Sequence, residues 1–335
     1  MAKGLDVGTM NLIAAERKTE KTTLTQQRNS YVEIEYSEVA EKMLARSDVL
    51  YIRKDNNVYI VGEDALNFAN VFNKETRRPM QKGILNRDEK SAIPMIRLII
   101  ERLVGEPNHD GELLYYTSPA RPSDDPRQDV LYHQKTIESI LRKLGYTPRV
   151  INEGMAVVYS ELPDNQFTGM GISFGAGMTN VCLAHYGLPV MTTAVARGGD
   201  WVDENVAEAT GHTKDKVTAF KEKDFAITEE PGNELESALT IYYENLMDYV
   251  VASVKREVEK ARVEEGMKIP IAITGGTASP KGFDKLLKKK LEAANLPFEI
   301  ESIKRAKSPL YSVALGTLVA ARAEEEEQLE DVVAA

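Results

Sequence analysis

The chain is poor in the residues that build cross-links and metal clusters: one cysteine, one tryptophan and four histidines in 335 residues. A single thiol, Cys182, excludes an internal disulfide and a cysteine-based zinc cluster. Its place in the apolar run 181–184 marks it as a buried, unreactive side chain. So little cysteine fits a reducing cytoplasm. Long apolar runs are also missing, because no stretch approaches the roughly 20 residues that span a bilayer. The opening MAKGLDVG has neither the apolar centre of a signal peptide nor an amphipathic helix. A soluble, cytoplasmic protein is expected. Basic charge falls short of acidic, 42 residues against 52 for a net −10, which argues against direct nucleic-acid binding by the whole chain. Lys285, Lys288, Lys289 and Lys290 form a local exception, readable as a basic patch or as a solvated helix face.

What is present is a globular mixture, 42% hydrophobic and 28% charged, long enough for two domains of about 100 to 200 residues each. Gly171 to Asn180, GISFGAGMTN, reads as a β-hairpin whose turn has almost no side chains. Such a turn can press backbone N–H groups against a phosphate, or simply join two strands. A second Gly-Thr turn lies near the start, GLDVGT, with strands over Leu12 to Arg17 and Leu24 to Tyr36 and a polar turn from Lys18 to Thr23 between them. Asp6 offers this turn a carboxylate for the water shell of Mg²⁺, and the turn through Gly8, Thr9, Met10 and Asn11 offers backbone donors; a capped turn is the plainer alternative.

Residues 31–86 have the texture of an insertion, with a strand pair near Val49 to Arg53 and Val58 to Val61 and a helix from Glu63. A buried helix over 88–104, a short strand at Leu113 to Thr117 and a helix from Asp129 to Leu144 follow. Glu153 stands at a strand-helix junction, where it can hold a water or metal or merely complement the helix dipole. Gly198 and Gly199 precede a largely helical stretch, 201–262, that ends in a long helix from Glu234 to Glu265. The run IPIAIT leads into Gly275-Gly276-Thr277 and then a helix, the strand-loop-helix order of a nucleotide-contacting turn. The last helix fades into Glu324 to Glu327, a polar tail expected to be frayed and solvated.

The two halves therefore each open with a glycine hairpin and each carry an insert, an architectural duplication. Five motifs in this order resemble the actin-like ATPase superfamily, and within it the MreB- and ParM-type prokaryotic actins. GLDVGT resembles the first phosphate loop, INEGMAVVYSE the first connector, GISFGAGMTNV the second phosphate loop, ITGGTASPKGFDKL the adenosine loop and SPLYSVALGTLVA the second connector. VGEDALNF, RRPMQKGIL, ARGGDWVDENV and VTAFKEKDFAI add supporting matches. The resemblance implies an α/β, actin-like ATPase fold of two duplicated RNase H-like domains, each with a smaller inserted subdomain and nucleotide in the cleft between them. Domain I would take 1–165 plus 310–335 with its insert at 31–86, and domain II 166–309 with a helical insert at 201–262.

Carried across, Asp6 would hold Mg²⁺ through water, and Gly8, Thr9, Met10 and Asn11 with Gly175, Ala176, Gly177, Met178 and Thr179 would bind the β- and γ-phosphates of ATP or ADP. Glu153 would orient the attacking water, Gly198 and Gly199 would line the ribose, Lys221 and Glu222 would meet adenosine, and Gly275, Gly276 and Thr277 would hold adenine. The chain departs from the pattern at Ser173, where the family has Asp, and at Met178, where it has Thr. One lost carboxylate implies slow hydrolysis. The implied function is a filament that grows by head-to-tail self-association under nucleotide control, with an adaptor or membrane partner left open. A metabolic kinase, a DnaK-like chaperone and an FtsA-like adaptor are the competing readings. The first lacks an acceptor-site motif, the second a substrate-binding region and the third a C-terminal amphipathic membrane helix.

Overall fold

In the computed structural model, which describes residues 2–18, 21–223 and 225–334, the chain runs through fifteen strands and ten α-helices. The first half contains β1 (Lys3–Val7), β2 (Asn11–Lys18), β3 (Lys21–Arg28), β4 (Tyr31–Glu35), α1 (Glu38–Leu44), β5 (Tyr51–Lys54), β6 (Asn57–Val61) and α2 (Asp64–Phe72). It continues with β7 (Met80–Gln81), β8 (Ile84–Leu85), α3 (Ala92–Val104), β9 (Leu113–Ser118), α4 (Val130–Lys143), β10 (Thr147–Asn152) and α5 (Glu153–Glu161). The second half contains β11 (Gly169–Phe174), β12 (Thr179–His185), β13 (Leu188–Val195), α6 (Gly199–Thr210), α7 (Lys214–Lys223) and α8 (Glu234–Ala261). It closes with β14 (Lys268–Thr274), α9 (Phe283–Ala293), β15 (Glu299–Arg305) and α10 (Ser312–Ala334).

Two five-stranded sheets carry the same plan. One has the order β10-β9-β1-β2-β3 and the other β13-β12-β11-β14-β15; renumbered within each half, both read as an antiparallel three-strand meander followed by two parallel strands. Parallel neighbours need a crossover helix, and the alternation of buried strand and helix after each meander supplies it. The expected strand from Leu24 to Tyr36 is broken. Asn29 and Ser30, both buried, interrupt it: Ser30 Oγ donates to Gly62 O at 3.0 Å, and β4 leaves to pair with β6 in a separate three-stranded sheet, β4-β6-β5. The expected turn from Lys18 to Thr23 is shorter, since pairing extends to Lys18 opposite Lys21; positions 19 and 20 lie outside the described residues.

Helix ends follow their capping residues. Asp129 accepts from Tyr132 N, Asn152 from Gly154 N and Asn233 from Glu236 N, at 3.0, 2.9 and 2.9 Å. The long helix stops at Ala261, short of the expected Glu265, where Arg262 turns left-handed at φ 53°. The C-terminal tail also differs from expectation. α10 continues through the acidic run because Glu324 accepts from the Tyr115 hydroxyl at 2.6 Å and from Arg149 Nε at 3.0 Å. Lys288 pairs with Glu292 and Lys290 with Asp248, as on a solvated helix face.

The connectors hold the halves together. α5 packs on β11, β12 and β14 of the second sheet, α10 packs on β1, β2 and β9 of the first, and the two helices cross each other. Glycine makes the crossing possible. A Cβ on Gly316 would run into the Ala156 carbonyl, one on Gly4 into Thr317, and one on Gly154 into the Cys182 amide. Cys182 is itself fully buried, and burial pushes its thiol up to about 12, as expected of an unreactive side chain. Gly316→Val should cost roughly 3 kcal/mol or more because the obstacle is backbone. Thermal unfolding should show a fall in Tm on the order of 5 °C or more.

Candidate functional site: a cleft between two glycine turns

The turn after β1 is held from outside. Asn29 Nδ2 donates to Gly8 O at 3.0 Å and Asn29 N to Met10 O at 2.9 Å, so the buried Asn29 fixes both ends of the turn. At the end of β9, the Thr117 hydroxyl accepts from Val7 N at 2.8 Å and donates to Asp6 Oδ1 at 3.1 Å. Thr9 is buried, and its Oγ1 accepts from Gly83 N at 3.1 Å.

The turn after β11 is held by its carbonyls. Gly175 O accepts from Gly199 N at 3.1 Å and from the Thr277 hydroxyl at 2.8 Å, and Ala176 O accepts from Asp200 N at 2.8 Å. With these carbonyls engaged behind it, the turn presents its other side to the cleft. The two turns touch. A Cβ on Gly177 would collide with Thr9 Oγ1 and the Gly83 amide, so only glycine permits this approach. Met178, in the place of a threonine, is buried against Gly83 and joins Ala120, Ala194 and Ala196 in an apolar contact between the halves.

A cleft of about 460 Å³ opens between the turns. It brings together Asp6, Gly8, Thr9, Met10 and Asn11 of the first turn, Glu153, and Gly175, Ala176, Gly177 and Met178 of the second. Gly199, Lys221, Glu222, Gly275, Gly276 and Thr277 complete the set drawn from sequence. Two expected residues stand back. The Thr179 hydroxyl turns away to donate to Arg197 O at 3.0 Å, and Gly198 lies beneath the second turn, where a Cβ would meet the Gly175 and Ala176 carbonyls. The walls also include Gly83, Asp203 and Ser279, which lie within the quoted motifs but were given no role, and Tyr243, which had no earlier signal. Thr117 and Asn29 support the site from behind. Thr117 was marked in the sequence only as the end of a buried strand, and Asn29 lay unmarked inside the expected strand from Leu24 to Tyr36.

Asp6 and Glu153 face the same space. Burial raises both carboxyls above their ordinary values; the Asp6 charge raises Glu153 further, while Thr117 opposes the shift at Asp6 and Ser173 and Asn180 oppose it at Glu153. Asn180 Oδ1 accepts from Ala120 N at 3.0 Å, and its Nδ2 is buried without a hydrogen-bond partner. Two like charges facing one cleft favour sharing a proton or binding a cation. No cluster of three or more His, Cys, Asp or Glu that could hold a bare ion occurs among the described residues.

Beside the cleft the halves are clamped. Arg78 Nη1 reaches both oxygens of Asp200, at 2.9 and 2.7 Å, and Arg197 pairs with Asp124 at 3.2 Å. The Arg197 guanidinium also lies 3.4 Å from the Tyr249 ring centre and 5.4 Å from that of Trp201. Ser123 N donates to Ala194 O at 2.8 Å, so the loop after β9 docks on the second sheet.

A family model described as Volactin matches residues 1–321. The chain belongs to the Volactin family. Among solved structures, this Volactin-family chain is similar to that titled "MamK double helical filament", with TM-score 0.69, 17% identity and coverage of 96% of this chain and 98% of that one. It is similar to MreB 5 of Spiroplasma citri bound to AMPPNP, with TM-score 0.69, 12% identity and 98% of each chain covered. It also resembles the ethanolamine utilization protein EutJ from Carboxydothermus hydrogenoformans, with TM-score 0.52, 16% identity and coverage of 95% and 88%. No curated protein sequence matches significantly. The likenesses show an actin-like fold over the full chain. No helix among the described residues is long and apolar enough to cross a membrane.

The carboxylate pair sets a pH dependence. A carboxyl raised in the native state binds more protons there than when unfolded, so stability falls as pH rises from the ordinary carboxylate range near 4 through the raised native values. Ligand-free protein should lose Tm between about pH 5 and about pH 8, and Glu153→Gln should flatten that slope. Differential scanning fluorimetry across buffers checks both.

Proposed function

We propose that this Volactin-family protein binds ATP with Mg²⁺ in the interdomain cleft, hydrolyses it slowly, and uses nucleotide state to control head-to-tail assembly into a filament. One observation carries the reading: a glycine turn from each half meets the other, and both line one cleft with the half-buried Asp6 and Glu153. Backbone amides of Gly8 to Asn11 and of Gly175 to Met178 would face the β- and γ-phosphates, a use of nearly bare backbone that side chains would obstruct. Asp6 would hold Mg²⁺ through its water shell, the ion supplying charge neutralisation to the phosphates. Glu153, kept basic by burial beside Ser173 and Asn180, would take the proton of the attacking water. Gly275 to Thr277 would border adenine. Lys221 is already engaged by Asp203 at 2.7 Å, so its stem rather than a free ammonium faces adenosine.

The structures of similar fold support assembly and nucleotide: one is titled a double helical filament and another is bound to AMPPNP. A contact between unlike surfaces repeats without closing, and closure of the clamped cleft on ATP would favour it. The protein would act in the cytoplasm. Any adaptor or membrane partner would be recruited by surfaces outside the cleft. The likeness to EutJ favours a second reading, an actin-fold ATPase that does not polymerise.

Pelleting and negative-stain imaging with ATP, with ADP and without nucleotide separate these readings. Nucleotide-dependent sedimentation is expected, and its absence in every state at every salt selects the second. Phosphate release under Mg-ATP should be slow and should fall about 100-fold or more in Glu153→Ala. Unchanged release in that variant removes Glu153 from its role. Ser173→Asp restores a carboxylate beside Glu153 and should raise turnover.

A further inference from the structure

Two buried polar atoms in the cleft are left over by the phosphate-binding turns. Asp203, one turn into α6, is 1% exposed. Its Oδ2 accepts from Lys221 Nζ at 2.7 Å and from the Thr218 hydroxyl at 2.8 Å, while its Oδ1 is buried without a hydrogen-bond partner. Tyr243 of α8 is fully buried, and its hydroxyl is likewise unpartnered. Both border the cleft, with Glu222 and Ser279 beside them. Buried polar atoms in native proteins are almost always hydrogen-bonded, so two orphans bordering one cavity indicate that a ligand completes them.

The chemistry of this wall excludes phosphate. Asp203 and Glu222 are acidic and would repel it. Asp203 Oδ1 is the oxygen left to accept, because Lys221 and Thr218 both donate to Oδ2; burial raises the carboxyl from its ordinary value and Lys221 opposes that shift. The Tyr243 phenol, raised by burial and by the nearby Asp203 and Glu222 charges, stays protonated and is free to donate. A fully deprotonated triphosphate has no donor for Asp203, but a nucleoside has several.

We propose that Asp203 and Tyr243 recognise the nucleoside part of the bound nucleotide, the free carboxylate oxygen accepting an N–H or O–H from it and the phenol donating to a neighbouring acceptor. The inference rests on reading the cleft as a nucleotide site. The donor is either the exocyclic amine of the base or a ribose hydroxyl, and the test distinguishes them.

Calorimetric binding to the full chain with Mg²⁺ would compare ATP, purine riboside triphosphate lacking the 6-amino group, 2′-deoxy- and 3′-deoxy-ATP, and inorganic triphosphate. Tyr243→Phe, which keeps the core volume, should weaken ATP about tenfold and leave inorganic triphosphate unchanged. The analogue missing the donor to Asp203 should bind wild type about tenfold more weakly than ATP does, with little further loss in Asp203→Asn. Loss with the 6-deamino analogue assigns the base, and loss with a deoxy analogue assigns the ribose. If Asp203→Asn does not fold, Tyr243→Phe decides alone. Equal ATP affinity in Tyr243→Phe and wild type overturns the proposal while the nucleotide reading stands. If wild type binds neither ATP nor triphosphate, that reading falls and this one with it.

Discussion

The contact on which the rest depends is the crossing of α5 and α10. Each helix leaves one sheet and packs on the other, so the crossing is at once the join between halves and the floor of the cleft. It tolerates no side chain at Gly316, where the Ala156 backbone already fills the space, and α5 lies as close to the β12 backbone at Gly154. Glu153 begins α5 with Asn152 as its cap, so the position of the catalytic candidate is set by the same packing that unites the sheets. Close-packed interiors transmit small shifts rather than absorb them, which couples the site to the join.

Above that floor the site balances opposite tendencies. Burial holds Asp6 and Glu153 short of full ionisation, and the Asp6 charge adds to the effect at Glu153. Ser173 fits this balance physically. A third carboxylate at that position would add repulsion in the ligand-free protein, whereas the Ser173 hydroxyl opposes the upward shift of Glu153 and leaves only two charges to neutralise. Met178 is a comparable exchange. It gives up a hydroxyl near the second turn and fills an apolar seam against Gly83 and Ala120.

Much of this was legible in the sequence for a physical reason: turns that press backbone on backbone demand glycine, and glycines at 8, 175, 177, 199, 275 and 276 mark them in order. Strand and helix order followed from apolar runs and caps. The supports were not legible. Thr117, Asn29 and Gly83 act across 111, 21 and 74 residues respectively, distances over which periodicity carries no information. The break at Asn29 and Ser30 was hidden because both flanks favour strand, and only tertiary bonds to Gly8 and Gly62 divide them. Composition misled at Glu324 as well. An acidic run reads as solvated until Tyr115 and Arg149, from strands far upstream, supply its partners.

The chain carries a single tryptophan, and Trp201 stands in the first turn of α6, next to the Asp200 that Arg78 grips and within reach of Arg197, Tyr242 and Tyr249. All indole emission therefore originates at the clamp between the halves. Its colour and quenching by the guanidinium make the protein its own optical gauge of how tightly that clamp is shut, with no label and no background from elsewhere in the fold.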